Sequence, residues 1–146
     1  MIERVLVPVD DSDLATAGLT YVFENFPEAE ITVLHVPDIT AASNHIASGG
    51  RFEDWYSVAQ SETKALLEKY RELADEYDIS IETAHEVGDP ATTILECAID
   101  NEFDQIVIGS HGRHGLPRVF LGSVAETVAR RSPVPVVIIH QNTNEE

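Results

Sequence analysis

Phe103-Asp104-Gln105-Ile106-Val107-Ile108-Gly109-Ser110-His111-Gly112, followed after nine residues by Gly122-Ser123-Val124-Ala125-Glu126, is the stretch that decides the reading of this chain. Phe103 to Ile108 is an apolar run of the kind a buried strand presents. Ser123 opens a helix in a capping-box pattern, with serine at the cap and Glu126 three residues on. A strand, a glycine-studded loop and a helix start together suit an anion. Glycines let the backbone approach a ligand, and the first N–H groups of a helix lack partners within it.

The distribution of charge points the same way. The chain has 26 acidic and 9 basic residues, a formal net charge of −17. Yet between Asp104 and Glu145 the only acid is Glu126, and the same interval holds Arg113, Arg118, Arg130 and Arg131. An acidic chain that keeps carboxylates out of its glycine segment fits a nucleotide phosphate bound there. Turn formation and solubility are the competing use of the same residues.

The rest of the composition sets bounds. The 146 residues form one expected domain, residues 1–146, with 43% hydrophobic content and no low-complexity tract. No apolar run approaches the ~20 residues that span a membrane, and Met1-Ile2-Glu3-Arg4 leads straight into the first strand. A cytoplasmic location is expected, with no membrane partner. General nucleic-acid binding is excluded by the charge, since phosphate backbones call for basic footprints. Lys64 and Lys69 are the only lysines, and acids crowd the predicted helix exteriors, as in proteins of a high-salt cytoplasm where repulsion is screened. Cys97 is a lone cysteine on the apolar side of a predicted helix and reads as a buried structural thiol.

Working outward, Arg4 to Val9 is a continuous β-branched run, the mark of a strand covered on both faces. Asp10 to Asp13 supplies a loop and helix cap, and Leu14, Ala17, Gly18, Tyr21 and Val22 recur at helical spacing up to Pro27. Ile31 to Val36 is a second strand. Pro37 to about Arg51 reads as a long flexible loop that includes His45. Trp55, Val58, Ala59, Leu66, Tyr70, Leu73 and Tyr77 trace a helix stripe over about Asp54 to Tyr77. Ile79 to His85 alternates as a half-covered edge strand, and Asp89-Pro90 starts a further helix. After the decisive stretch, Val134 to Ile139 is the last strand. Alternating strands and helices predict an open parallel α/β sheet with helices on both faces, in the order 3-2-1-4-5. In that order the loops after the first and fourth strands diverge at the switch point, where such sheets bind ligands.

These residues resemble the universal stress protein family, in its ATP-binding branch. The likeness covers nearly the whole chain: Val5-Leu6-Val7-Pro8-Val9-Asp10, Leu34-His35-Val36, and a Gly-x2-Gly-x9-Gly-Ser signature met by Gly109, Gly112, Gly122 and Ser123. The resemblance implies a Rossmann-like fold and bound ATP, with magnesium or manganese as an accompanying ion. It implies that Asp10 meets the ribose hydroxyls and that Pro8, Val9 and Val36 line the adenine pocket. Gly109, Gly112, Gly122, Ser123 and Val124 would supply backbone N–H groups and a hydroxyl to the phosphates. A regulator in the stress response is implied more than a catalyst. No Walker lysine follows the loop and no nucleophile–base pair is visible.

The same residues admit other uses. Asp10 also suits a helix cap, although Asp11 or Ser12 would serve there. His111 and His114 have a metal-like spacing without a third ligand, and His35 reads as structural. A phosphorylation-driven receiver domain shares the strand order and an Asp10-Asp11 pair. This chain lacks the aspartate a receiver needs where His85-Glu86-Val87 stands and the lysine it needs at His140-Gln141. A dimeric interaction module with a vestigial nucleotide site is the remaining alternative. Val134 to Ile139 is an apolar edge in an isolated chain and invites two-fold pairing, so a homodimer through that strand is expected.

Overall fold

In the computed structural model, which describes residues 2–111 and 122–140, β1 (Arg4–Pro8) is the middle of a five-stranded parallel sheet. β2 (Glu30–His35) and β4 (Gln105–Gly109) flank it, and β3 (Glu82–His85) and β5 (Val136–Ile139) form the edges. The order is 3-2-1-4-5, as the alternation of elements predicted.

Two-residue periodicity divides the core between two faces. Val5 and Val7, Ile31 and Val33, and Val107 turn toward α1 (Asp13–Asn25) and α3 (Phe52–Glu76), meeting Leu19, Val22, Phe23, Leu67 and Tyr70. Leu6, Leu34, Ile106 and Ile108 turn the other way, toward Ile94 and Ala98 of α4 (Pro90–Asp100) and Ala125 and Val128 of α5 (Ser123–Arg131). The middle residues of β1 and β4, Val5 to Val7 and Ile106 to Ile108, are therefore apolar in succession, because neither face meets water there. Each fully buried aliphatic side chain contributes roughly 1.5–3 kcal/mol of transfer free energy.

Several expectations need correction. The stretch from Pro37 to Arg51 is largely helical, as α2 (Ile39–Ala47). Asp38 caps it, its Oδ1 accepting the Thr40 N–H at 2.9 Å, and Ala42 is buried. The small residues that resembled a loop are good helix formers once tertiary packing supports them. His45 thus lies in α2, its ring closing over Gly50, where a Cβ would collide with it.

The helix expected over Asp54 to Tyr77 is α3, but its inward face is displaced. Val58 is 57% exposed, while Ala59, Thr63, Leu67, Tyr70 and Ala74 are buried. Ala59 and Tyr70 of the expected stripe are on the buried face and Leu66 and Leu73 pack beside it, while Thr63, Leu67 and Ala74 complete it in place of Val58.

The edge strands are shorter than expected. Ile79 is taken up in closing α3, its N–H donating to the Ala74 carbonyl at 3.0 Å beyond Asp78, which has φ of 57°. At the other edge Pro135 has no N–H to donate and contributes only its carbonyl, to the Ile106 N–H at 3.0 Å. Cys97 is half-buried instead of enclosed, and desolvation pushes its thiol above the usual range.

Candidate functional site

From β1 the chain passes to α1 on one face of the sheet, and from β4 to α5 on the other. The two connections part beside Pro8 and Gly109, and a cleft of about 480 Å³ opens there at the C-terminal ends of the strands. That volume falls in the range of small-molecule sites. Its floor is apolar, from Val9, Leu34, Val36, Ile94, Ile108 and Ala125.

Pro8, Val9, Asp10, Val36, Gly109, Gly122, Ser123 and Val124 all line this cleft. The fold thus gathers eight of the nine residues singled out from sequence. Gly112 lies outside the described residues, as do Arg113, His114 and Arg118. Of the His111 and His114 pair, whose spacing offered no third ligand, only His111 is among the described residues.

The Asp10 side of the cleft is held by side chains. The Val9 N–H donates to the Leu34 carbonyl at 2.8 Å, and the Val9 carbonyl lies 2.8 Å from His35 Nδ1. His35 is therefore a brace between strand ends, in keeping with the structural role expected of it. Asp10 Oδ1 accepts the Ser12 N–H at 3.1 Å. Ser12 in turn caps α1, its Oγ accepting the Ala15 N–H at 3.1 Å. Capping thus belongs to Ser12, and Asp10 faces the cleft.

The opposite side is built from backbone. A Cβ on Gly109 would stand 2.9 Å from Leu14 Cβ. One on Gly122 would stand 3.1 Å from His111 Cα and 3.2 Å from the Ser110 oxygen. The glycines therefore serve the packing of the loop as well as access to the cleft.

Two details of the capping-box expectation fail. The N-cap of α5 is Gly122, not Ser123, and among the described residues no side chain caps the helix. Glu126 does not reach back; its carboxylate pairs with Arg130 at 2.7 Å. Gly122 takes the cap position in tight contact with His111, which a side chain there would press upon. Its own N–H donates to the Ser110 carbonyl at 2.6 Å. The N–H groups of Ser123 and Val124 begin the helix at the cleft wall, with no side-chain cap across them. By contrast α1, α2 and α4 start on Ser12, Asp38 and Asp89. Hydrogen bonds from Thr92, chiefly its backbone N–H, hold the Asp89 carboxyl below its usual range.

Sequence reasoning missed Asp38, Pro90 and Ile94, which close the cleft from the second and third crossovers. The signal was present in the Asp-Pro helix start, since every strand of a parallel sheet delivers its following loop to the same end.

An open parallel sheet with a cleft at its switch point, walled by an uncapped helix start behind glycines, defines an α/β protein of the open-sheet, ligand-cleft class. The sequence pattern of the Universal stress protein family matches residues 1–140, and the chain belongs to that family. Universal stress protein YxiE of Bacillus subtilis is 31% identical, over 95% of this chain and 99% of that protein. The structure of MJ0577 of Methanocaldococcus jannaschii aligns with a TM-score of 0.84 at 27% identity, covering 99% of both chains. A universal stress protein family protein of Arabidopsis thaliana, solved with AMP bound, shares the fold with a TM-score of 0.69 at 20% identity. That alignment covers 98% of this chain and 94% of the other.

Proposed function

We propose that this chain is a single-domain, cytoplasmic, nucleotide-dependent regulator of the stress response that binds ATP in the switch-point cleft. The observation that carries the reading is the α5 start: Ser123 and Val124 open a helix with no side-chain cap on the wall of a cleft whose floor is apolar. Phosphates suit the N–H groups there and the Ser123 hydroxyl, and a flat base suits Val9, Val36 and Ile94. Asp10 accepts from ribose hydroxyls. Asp10 and Asp38 are carboxylates lining the cleft and would be the residues to hold magnesium or manganese brought in with the nucleotide. The AMP held by the Arabidopsis protein supports an adenine nucleotide in this fold.

Equilibrium dialysis with ATP, ADP and AMP tests the proposal. Micromolar ATP binding is expected, and its absence with and without magnesium or manganese leaves the interaction module with a vestigial site as the reading.

The edge strand favours dimerisation under either reading. Val136 to Ile139 are all half-buried, with one side of β5 unpaired in the sheet. We propose a two-fold homodimer through this edge, strengthened by salt that screens two chains of net charge −17. Light scattering should show a dimer that Val137→Lys weakens; a monomer at every protein and salt concentration refutes the pairing.

A further inference from the structure

Tyr70 is the largest fully buried side chain of the core, on the inward face of α3 beside Leu67 and Ala74. A buried phenol needs a hydrogen-bond partner. Here the hydroxyl donates to the Asp10 carbonyl oxygen at 3.0 Å and stands 3.3 Å from Thr16 Oγ1. Burial raises the Tyr70 pKa, so the hydroxyl keeps its proton. The neighbouring Lys69 reaches the Asp11 carboxylate at 3.3 Å, an exposed pair of small energetic weight. α3 therefore grips the loop after β1 at two successive residues, once in the core and once at the surface. Tyr70 itself is not among the residues lining the cleft.

We propose that Tyr70 is a positioning residue for nucleotide binding: its hydroxyl fixes the Asp10 backbone, and with it the direction in which the Asp10 carboxylate meets the ribose. This rests on the reading of Asp10 as the ribose partner. The Asp10 carbonyl lies beyond the end of β1, where Tyr70 stands in for a sheet neighbour. Removing the hydroxyl deprives that carbonyl of a buried donor and frees the loop to shift. A displaced Asp10 then costs ribose recognition, while the α5 wall is untouched.

The test compares Tyr70→Phe, Asp10→Ala and the double variant, with ATP and inorganic tripolyphosphate as ligands, by titration calorimetry. Tyr70→Phe should weaken ATP about five- to tenfold and leave tripolyphosphate within about twofold. The double variant should bind ATP no worse than Asp10→Ala alone, because the phenol acts through Asp10. Equal losses for both ligands overturn the proposal by making Tyr70 a general support of the fold. Full ATP affinity in Tyr70→Phe, with Asp10→Ala impaired, overturns it while sparing the ribose reading. Full affinity in Asp10→Ala overturns both. Should Tyr70→Phe not fold, Thr16→Val removes the companion hydroxyl and reads the same contrast with a smaller loss.

Discussion

The two walls of the cleft are built on opposite principles. Among the described residues the wall after β4 is made of backbone: a Cβ on Gly109 would collide with Leu14, one on Gly122 would press on His111, and α5 begins with no side-chain cap. The wall after β1 is held by side chains: Asp10, Ser12 and His35 line it, Tyr70 braces it from the core, and their hydrogen bonds to the backbone run from 2.8 to 3.1 Å. A wall of backbone fails when atoms are added to it. A wall of side chains fails when atoms are removed. If ATP spans the cleft, the first wall meets the phosphates and the second the ribose and base.

The largest expected effect comes from adding atoms. Gly122→Val should lower affinity for ATP and for tripolyphosphate alike by at least about a hundredfold, through loss of two hydrogen bonds to charged oxygens at ~1.5–3 kcal/mol each. The branched side chain has to displace His111 and carries the α5 start with it. Far-UV circular dichroism checks that the variant folds. A folded Gly122→Val protein with unchanged ATP affinity would erase the contrast between the walls.

Removal comes next. Asp10→Ala should weaken ATP about tenfold and leave tripolyphosphate unchanged, since only the ribose loses an acceptor. Parallel losses for the two ligands would mean that Asp10 supports the loop and not the sugar. Ser123→Ala should give the smallest effect, about three- to fivefold on both ligands, because the N–H groups of α5 remain in place. A loss confined to ATP would shift Ser123 from the phosphate side of the comparison to the nucleoside side.

Much of this arrangement was legible in the chain. The β-branched runs Val5–Val9 and Ile106–Ile108 predict strands covered on both faces, and the alternation of elements predicts the sheet order. Cleft residues at strand ends follow from that order. Less legible was α2, whose alanines and serines carry no apolar stripe and whose helix depends on Asp38 and on packing against α3. On the inward face of α3, Val58 is exposed while the polar Thr63, which no apolar stripe would include, is buried with Leu67 and Tyr70.

By itself, then, the sequence determined the order of the strands, their two-sided burial and the meeting of Asp10 with the glycine segment. Local periodicity and the right-handed crossover leave little else for such a pattern to form. Tertiary structure alone decided that Gly122 caps α5 with its N–H turned to Ser110. It alone brought Tyr70, sixty residues away, against the Asp10 carbonyl. Both depend on which atoms share a space of a few ångströms after packing, and no spacing along the chain encodes that.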